Sequence, residues 1–136
     1  MTDSIGADQL ARLKRVRERA YAPYSGFHVA AAIESEAGDH YFGCNVEVAH
    51  FKSVCAEASA ISAMIAGGGR RLQRVVILTS GGEPCPPCGD CRQRLREFAD
   101  GDAEILLIDE QGRARRRYTV DELLPEAFGG DLLSPC

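Results

Sequence analysis

Two short cysteine motifs, far apart in the chain, place the strongest constraint on how it can fold. The first is Cys55-Ala56-Glu57 and the second is Cys88-Gly89-Asp90-Cys91. Three thiolates can hold Zn²⁺ and leave its fourth tetrahedral position to water, as hydrolytic zinc sites require. Glu57 follows Cys55 closely enough to move protons without being a ligand. The fold must therefore bring both motifs to one metal ion.

Cys85 leaves two other metal sites open. With Cys88 and Cys91 it forms C-x₂-C-x₂-C, which could complete a closed Cys₄ zinc knot with Cys55 or take part in an iron–sulfur cluster. A carboxylate has a use beside an open site and none beside a closed one, and a cluster would not need it. The open site with three thiolates is therefore favoured.

Composition limits the kind of protein. A chain of 136 residues is most simply one domain, here 1–136, with enough length to bury a core without disulfides. The net charge of -4 gives no electrostatic reason to bind nucleic acid or an acidic membrane. No apolar run is long enough to span a membrane. The first residues lack the basic flank and apolar stretch of a signal peptide, so we expect a cytoplasmic protein.

The hydrophobic pattern predicts strands alternating with helices, which is typical of a sheet covered by helices in a three-layer α/β/α domain. Both cysteine motifs follow a loop and open a helix, where free N–H groups and the helix dipole lower thiol pKa values. The predicted helices are Gln9–Ala20, Cys55–Ala66, Gly89–Phe98 and Val120–Leu124, and the predicted strands are His28–Ile33, Tyr41–Asn45, Arg74–Thr79, Glu104–Ile108 and Ala114–Thr119.

Together these motifs resemble the small cytidine deaminases that act on free nucleosides. The resemblance covers the chain from about Leu10 to Phe128 and implies a mixed five-stranded sheet between helices. The matching pieces are APYSGFHV from Ala22, GCNVE from Gly43, CAE from Cys55, PCGDCRQ from Pro87 and LLPEAF from Leu123.

The resemblance also implies a role for each site residue. Cys55, Cys88 and Cys91 would bind one Zn²⁺ per subunit. Glu57 would move protons between water, N3 of the pyrimidine and the departing ammonia. The implied nucleoside contacts are Phe27 near the base, Asn45 and Glu47 at the ribose, and Ala56. Phe128 would reach into a neighbouring subunit's site, which implies a homotetramer with sites at subunit interfaces.

Three of these residues also have a purely structural interpretation. Phe27 could belong to the core, and Asn45 could only cap a turn. Phe128 would be an exposed aromatic side chain if the chain were monomeric.

Two departures from the family pattern bear on the substrate. The loop from Val48 to Lys52 is one residue shorter than usual and has Phe51 where a tyrosine is typical. Ala58 replaces an arginine that offsets the negative charge of the three thiolates. Alanine at this place resembles the blasticidin S deaminases. The sequence therefore predicts deamination of cytidine or deoxycytidine first, and of a modified cytosine nucleoside second. A non-catalytic, zinc-stabilised nucleoside-binding domain is the third hypothesis.

Overall fold

The computed structural model describes residues 4–133 and follows the predicted order of helices and strands. Short 3₁₀ turns lie at Ser80–Gly82 and Gly130–Leu133. The elements are α1 (Ala7–Glu18), β1 (Val29–Ser35), β2 (His40–Cys44), α2 (Ala56–Ala66), β3 (Leu72–Thr79), α3 (Gly89–Phe98), β4 (Ala99–Ile108), β5 (Ala114–Thr119) and α4 (Val120–Leu123).

Several boundaries differ from the sequence prediction. Helix α1 ends at Glu18 rather than at Ala20, because the Arg19 N–H turns back to the Val16 carbonyl oxygen. Strand β1 continues to Ser35 through an irregularity in its pairing with β3. Strand β4 begins at Ala99, well before the predicted start, because Ala99 pairs with the first residue of β3.

The strands form one mixed sheet in the order β2-β1-β3-β4-β5. Strands β3 and β4 are parallel, and the other neighbours are antiparallel. Because side chains alternate along a strand, each face of the central strands buries its own apolar set. One core lies under α2, α3 and α4 and includes Ala60, Met64 and Leu95, while the other lies under α1 around Leu13. The three-layer α/β/α arrangement with a mixed five-stranded sheet is confirmed.

The ends of three strands meet at one edge of the sheet. Val29, the first residue of β1, pairs with Thr79, the last residue of β3. Asn45 directly follows β2 on the other side of β1. Loops from these ends therefore converge near the start of α2. None of the helices within residues 4–133 is long and apolar enough to cross a membrane.

Gly43 allows α2 to pack directly on β2. A Cβ atom at this glycine would lie 2.7 Å from the Ala56 carbonyl oxygen and 2.7 Å from the Ser59 Cβ, and would also collide with the Ala60 nitrogen. Two of these atoms belong to the helix backbone, which cannot turn away as a flexible side chain could. The glycine therefore fixes how close the first turns of α2 come to the sheet.

We expect Gly43→Ala to destabilise the protein by about 1–3 kcal/mol, since α2 must move away from β2. Gly6→Ala is the control, because a Cβ at Gly6 meets nothing within 4 Å, and it should cost less than about 1 kcal/mol. Urea unfolding of both variants measures the difference. Equal free energies of unfolding for the two variants would contradict the packing argument.

Asp109 organises the turn between β4 and β5. Its carboxylate accepts hydrogen bonds from the backbone N–H groups of Gln111 (3.0 Å) and Arg113 (2.9 Å) and from the Arg113 Nε (2.9 Å), and Arg115 lies 3.6 Å away. Burial raises the pKa of Asp109, but these hydrogen bonds outweigh it and hold the pKa below its ordinary value. The ionised carboxylate therefore stabilises the folded hairpin.

This depressed pKa predicts how stability changes with pH. The contribution of Asp109 is complete above the ordinary aspartate pKa of about 3.9 and is lost as pH falls through the lower pKa of the folded state. Asp109→Asn should therefore be less stable than the parent protein at pH 6, and the gap should narrow as pH approaches 3. Denaturant titrations of both proteins across this range measure the gap. A gap that stays constant would show that Asp109 does not act through its charge.

Candidate active site

The three predicted thiols lie together. Cys55 is the N-cap residue of α2, Cys88 is the N-cap residue of α3, and Cys91 is in the first turn of α3. Their Sγ atoms all lie within 4.8 Å of one another, and Cys55 Sγ and Cys88 Sγ are 3.8 Å apart. Two helix N-termini thus point their positive dipole ends at one cluster of thiols.

This cluster fits zinc. Tetrahedral Zn²⁺ with Zn–S bonds of about 2.3 Å places its sulfur ligands about 3.8 Å apart, which agrees with the separation of Cys55 and Cys88. The thiolate is also a ligand type that zinc prefers. Cys85 lies outside the cluster, since its exposed thiol faces the Pro86 carbonyl oxygen at 3.8 Å. Among residues 4–133, the geometry therefore favours three thiolates over a closed Cys₄ knot.

The thiols differ in how readily they ionise. A hydrogen bond from Cys91, aided by one from Cys88, lowers the pKa of Cys55 to about 6 against the opposing effect of burial. The same contact with Cys55, together with burial, raises the pKa of Cys91. Zinc binds thiolates, so loading the site must displace the protons shared among these sulfur atoms.

Glu57 lies in the first turn of α2 and is 5% exposed. Burial raises its pKa above the ordinary glutamate value. Glu57 also lines the cavity that Cys55 and Cys88 border. A carboxyl group with a raised pKa is better able to return a proton that it has accepted, as general acid–base catalysis requires.

An open cavity of ≈ 240 Å³ adjoins the thiols. Its wall is largely apolar and includes a few polar residues, as is typical of small-molecule sites. Five of the predicted site residues besides the cysteines line it: Phe27, Asn45, Glu47, Ala56 and Glu57.

Asn45 and Glu47 also hold the segment that precedes β1. The Asn45 side chain accepts the Val29 N–H (2.8 Å) and donates to the Phe27 carbonyl oxygen (2.8 Å). The Glu47 carboxylate accepts the Ser25 hydroxyl (2.5 Å) and the backbone N–H groups of Tyr24 and Ser25. The bond from the Ser25 hydroxyl is the main reason that the pKa of Glu47 lies below its ordinary value. Both residues therefore shape the loop that carries Phe27 into the cavity.

Phe128 is placed differently from the other predicted residues. It does not line this cavity of its own chain, and its side chain is 54% exposed. Its carbonyl oxygen accepts a hydrogen bond from the Gln93 side chain (2.8 Å), which fixes the backbone there. The exposed ring is thus held at the surface by a defined backbone contact.

Sequence reasoning missed several cavity residues. Thr79, at the end of β3, lines the cavity and donates its hydroxyl to the Glu83 carbonyl oxygen (2.5 Å). Val54 also lines it, and two hydrogen bonds with Val46 close the loop between them. The available signal for Thr79 was a polar residue directly after the apolar run 75–78. Val54 had none, because its place depends on its pairing with Val46 across the loop.

Comparison with known proteins identifies the family. Residues 7–107 match the zinc-binding region of cytidine and deoxycytidylate deaminases. The chain is 38% identical to a cytidine deaminase of Sporosarcina psychrophila over 92% of both chains, and 42% identical to one of Mycobacterium tuberculosis over 82% of this chain and 80% of the relative. Among solved structures, a cytidine deaminase from Burkholderia pseudomallei aligns with a TM-score of 0.80 at 36% identity, covering 91% of this chain and all of that one.

The chain therefore belongs to the cytidine and deoxycytidylate deaminase family. Its matched region is a zinc-binding region, and its three thiols are placed to hold a metal ion, so the zinc prediction is confirmed. The roles of the individual site residues stay predictions.

Removing one thiol of the cluster should remove the metal. We expect Cys91→Ser to lose most of its zinc after dialysis, since a hydroxyl is a poor ligand in place of a thiolate. Cys85→Ser should keep one zinc per chain, because Cys85 lies outside the cluster. Elemental analysis of both variants measures this. Zinc loss from Cys85→Ser would instead favour the closed Cys₄ site.

Proposed function

We propose that this chain is a zinc-dependent hydrolase that deaminates cytidine and deoxycytidine to uridine and deoxyuridine, with release of ammonia. The observation that carries the proposal is a buried carboxyl group, Glu57, in the same cavity as a zinc-type thiol cluster. Membership of a deaminase family, with relatives named cytidine deaminase, supports this reaction over other zinc chemistry.

The reaction replaces the C4–N bond of cytosine by a C4–O bond. Zinc, when bound by Cys55, Cys88 and Cys91, acts as a Lewis acid that makes a water molecule reactive near neutral pH. Glu57 takes a proton from the attacking water and gives it to N3 of the base. It then takes the proton of the new C4 hydroxyl group and gives it to the amino group, so that the C4–N bond breaks and ammonia leaves. The raised pKa of Glu57 suits this exchange, because a carboxyl group that stays ionised would return the proton poorly.

The cavity residues would bind the nucleoside. Glu47 stays ionised and still has free acceptor capacity, so it can take hydrogen bonds from ribose hydroxyl groups. Asn45 lies beside it, and Phe27 offers an aromatic face to the base. Ala56 presents only a methyl group, which lets the base approach the start of α2.

We also propose that the protein works as a homotetramer of single-domain chains (1–136), with Phe128 reaching a neighbouring subunit's site. The exposed ring of Phe128 and its anchored backbone support this role. A small-molecule nucleoside would then be the substrate, in cytoplasmic pyrimidine salvage.

Glu57→Gln tests the reaction. We expect the variant to lose at least about 100-fold in kcat, because glutamine cannot carry the proton. It should keep its zinc, since Glu57 lies outside the thiol cluster. The measurement is the loss of cytosine absorbance with cytidine, deoxycytidine and blasticidin S, together with zinc analysis.

Other outcomes would favour other functions. Turnover of blasticidin S alone would favour a modified cytosine nucleoside as substrate, consistent with Phe51, which is 86% exposed in the altered loop. No turnover of any substrate by the zinc-loaded parent protein, with nucleoside binding retained, would favour a binding domain. Equal kcat values for Glu57→Gln and the parent would refute the role of Glu57.

A further inference from the structure

Arg92 joins two parts of the structure that are distant in sequence. Its Nε donates to the Pro87 carbonyl oxygen (2.7 Å), and its Nη1 donates to the Leu123 carbonyl oxygen (3.0 Å). The first carbonyl directly precedes Cys88, and the second lies at the end of α4. One half-buried guanidinium therefore connects the residue before Cys88 with the residue before the C-terminal segment, 124–133.

The peptide before Cys88 depends on this side chain. The backbone N–H of Arg92 binds the Cys88 carbonyl oxygen (2.9 Å), so Arg92 holds the two consecutive carbonyl groups on either side of the Cys88 Cα. Pro86 and Pro87 have no backbone N–H groups, so the two residues before Cys88 cannot donate backbone hydrogen bonds. Arg92 of α3 therefore largely sets the direction in which the Cys88 thiol points.

The contact at Leu123 gives a hydrogen-bond donor to the end of α4. Helix α4 has only four residues, and carbonyl groups at a helix end lack intrahelical donors. Arg92 supplies a donor for one of them. The next residue, Gln93, donates to the Phe128 carbonyl oxygen, so two adjacent side chains of α3 hold both ends of 123–128.

We propose that Arg92 is a positioning residue whose guanidinium fixes the Pro87–Cys88 peptide against Leu123, so that retention of zinc by Cys88 depends on this bridge. With Gln93, the same contact sets the position of 123–128 for nucleoside binding, and this second part rests on the proposed function. Groups that orient metal ligands typically change metal affinity by 10–100-fold when they are lost.

Arg92→Lys tests the bridge while keeping the charge. A lysine ammonium is a single point donor and cannot reproduce the planar fork that reaches both carbonyl groups. We expect zinc to pass from this variant to a chromophoric chelator at least about 10-fold faster than from the parent protein. The matched control is Arg94→Lys, because Arg94 lies in the same helix but is exposed and forms an ion pair with Asp90 at 3.2 Å. The control should lose zinc within about twofold of the parent rate.

A wild-type rate of zinc loss from Arg92→Lys would overturn the proposal. If Arg92→Gln then lost zinc quickly, the charge of Arg92 would matter and its bridge would not. Thermal unfolding of each zinc-loaded variant shows whether it is folded. If Arg92→Lys does not fold, the same chelator measurement on Arg92→Gln decides, because glutamine cannot bridge both carbonyl groups either, and a parent rate of zinc loss would overturn the proposal.

Gln93→Met removes only the donor to Phe128. We expect its zinc loss to match the parent rate, while KM for cytidine rises by about 2–10-fold, the value of one hydrogen bond. An unchanged KM would contradict the role of Gln93 in nucleoside binding. Zinc loss as fast as that expected of Arg92→Lys would contradict the assignment of zinc retention to Arg92 alone. Zinc transfer needs no substrate, so a parent protein that fails to deaminate cytidine would refute the proposed function and leave the bridge to be decided by the chelator measurement.

Discussion

The close contact between α2 and β2 at Gly43 is the constraint on which the candidate site depends. This contact fixes the first turn of α2, and with it Cys55 as the N-cap residue and Glu57 in the buried first turn. Helix α3 starts on the same side of the sheet, after the loop that leaves β3. Only because both helices begin on one face can thiols from two motifs come within the span of a single metal ion. A side chain at Gly43 would move one half of the site relative to the other.

The parts of the fold that local signals define could be predicted from the sequence. The bounds of α3 are confirmed, and so are those of β5. The early start of β4 could not be predicted, because Ala99 extends only through its pairing with Leu72. The predicted end of α1 at Ala20 is wrong, because the helix already ends at Glu18, where the Arg19 N–H turns back to the Val16 carbonyl oxygen. In the site, metal chemistry alone predicts that the three thiols meet. The hydrogen bonds of Glu47 to Tyr24 and Ser25 join segments more than twenty residues apart and leave no local pattern.

Asn45 and Glu47 show why structural and binding interpretations need not compete. Each side chain holds backbone groups of the segment before β1, and each also lines the cavity. A carboxylate oxygen has more than one lone pair, so Glu47 can keep its bonds to Ser25 while accepting a ligand hydroxyl. Such prior ordering lowers the entropy lost on binding, because the side chains are already held in one conformation. Phe27 benefits in the same way, since its backbone carbonyl is one of the groups that Asn45 holds.

The charge of the site must be balanced without an arginine at Ala58. Three thiolates around Zn²⁺ leave one unit of negative charge, and the buried Glu57 carboxyl group lies close to it. Burial favours the protonated form of Glu57, and the hydrogen bond from Cys91 opposes it. The dipoles of α2 and α3 oppose the negative charge of the thiolates, since both N-termini face the thiols. Arg92 adds a positive charge in the residue after Cys91, but two carbonyl oxygens hold its guanidinium in place. A cation fixed in this way offsets the charge of the thiolates from a set position, since both bonds hold the guanidinium to backbone carbonyl groups.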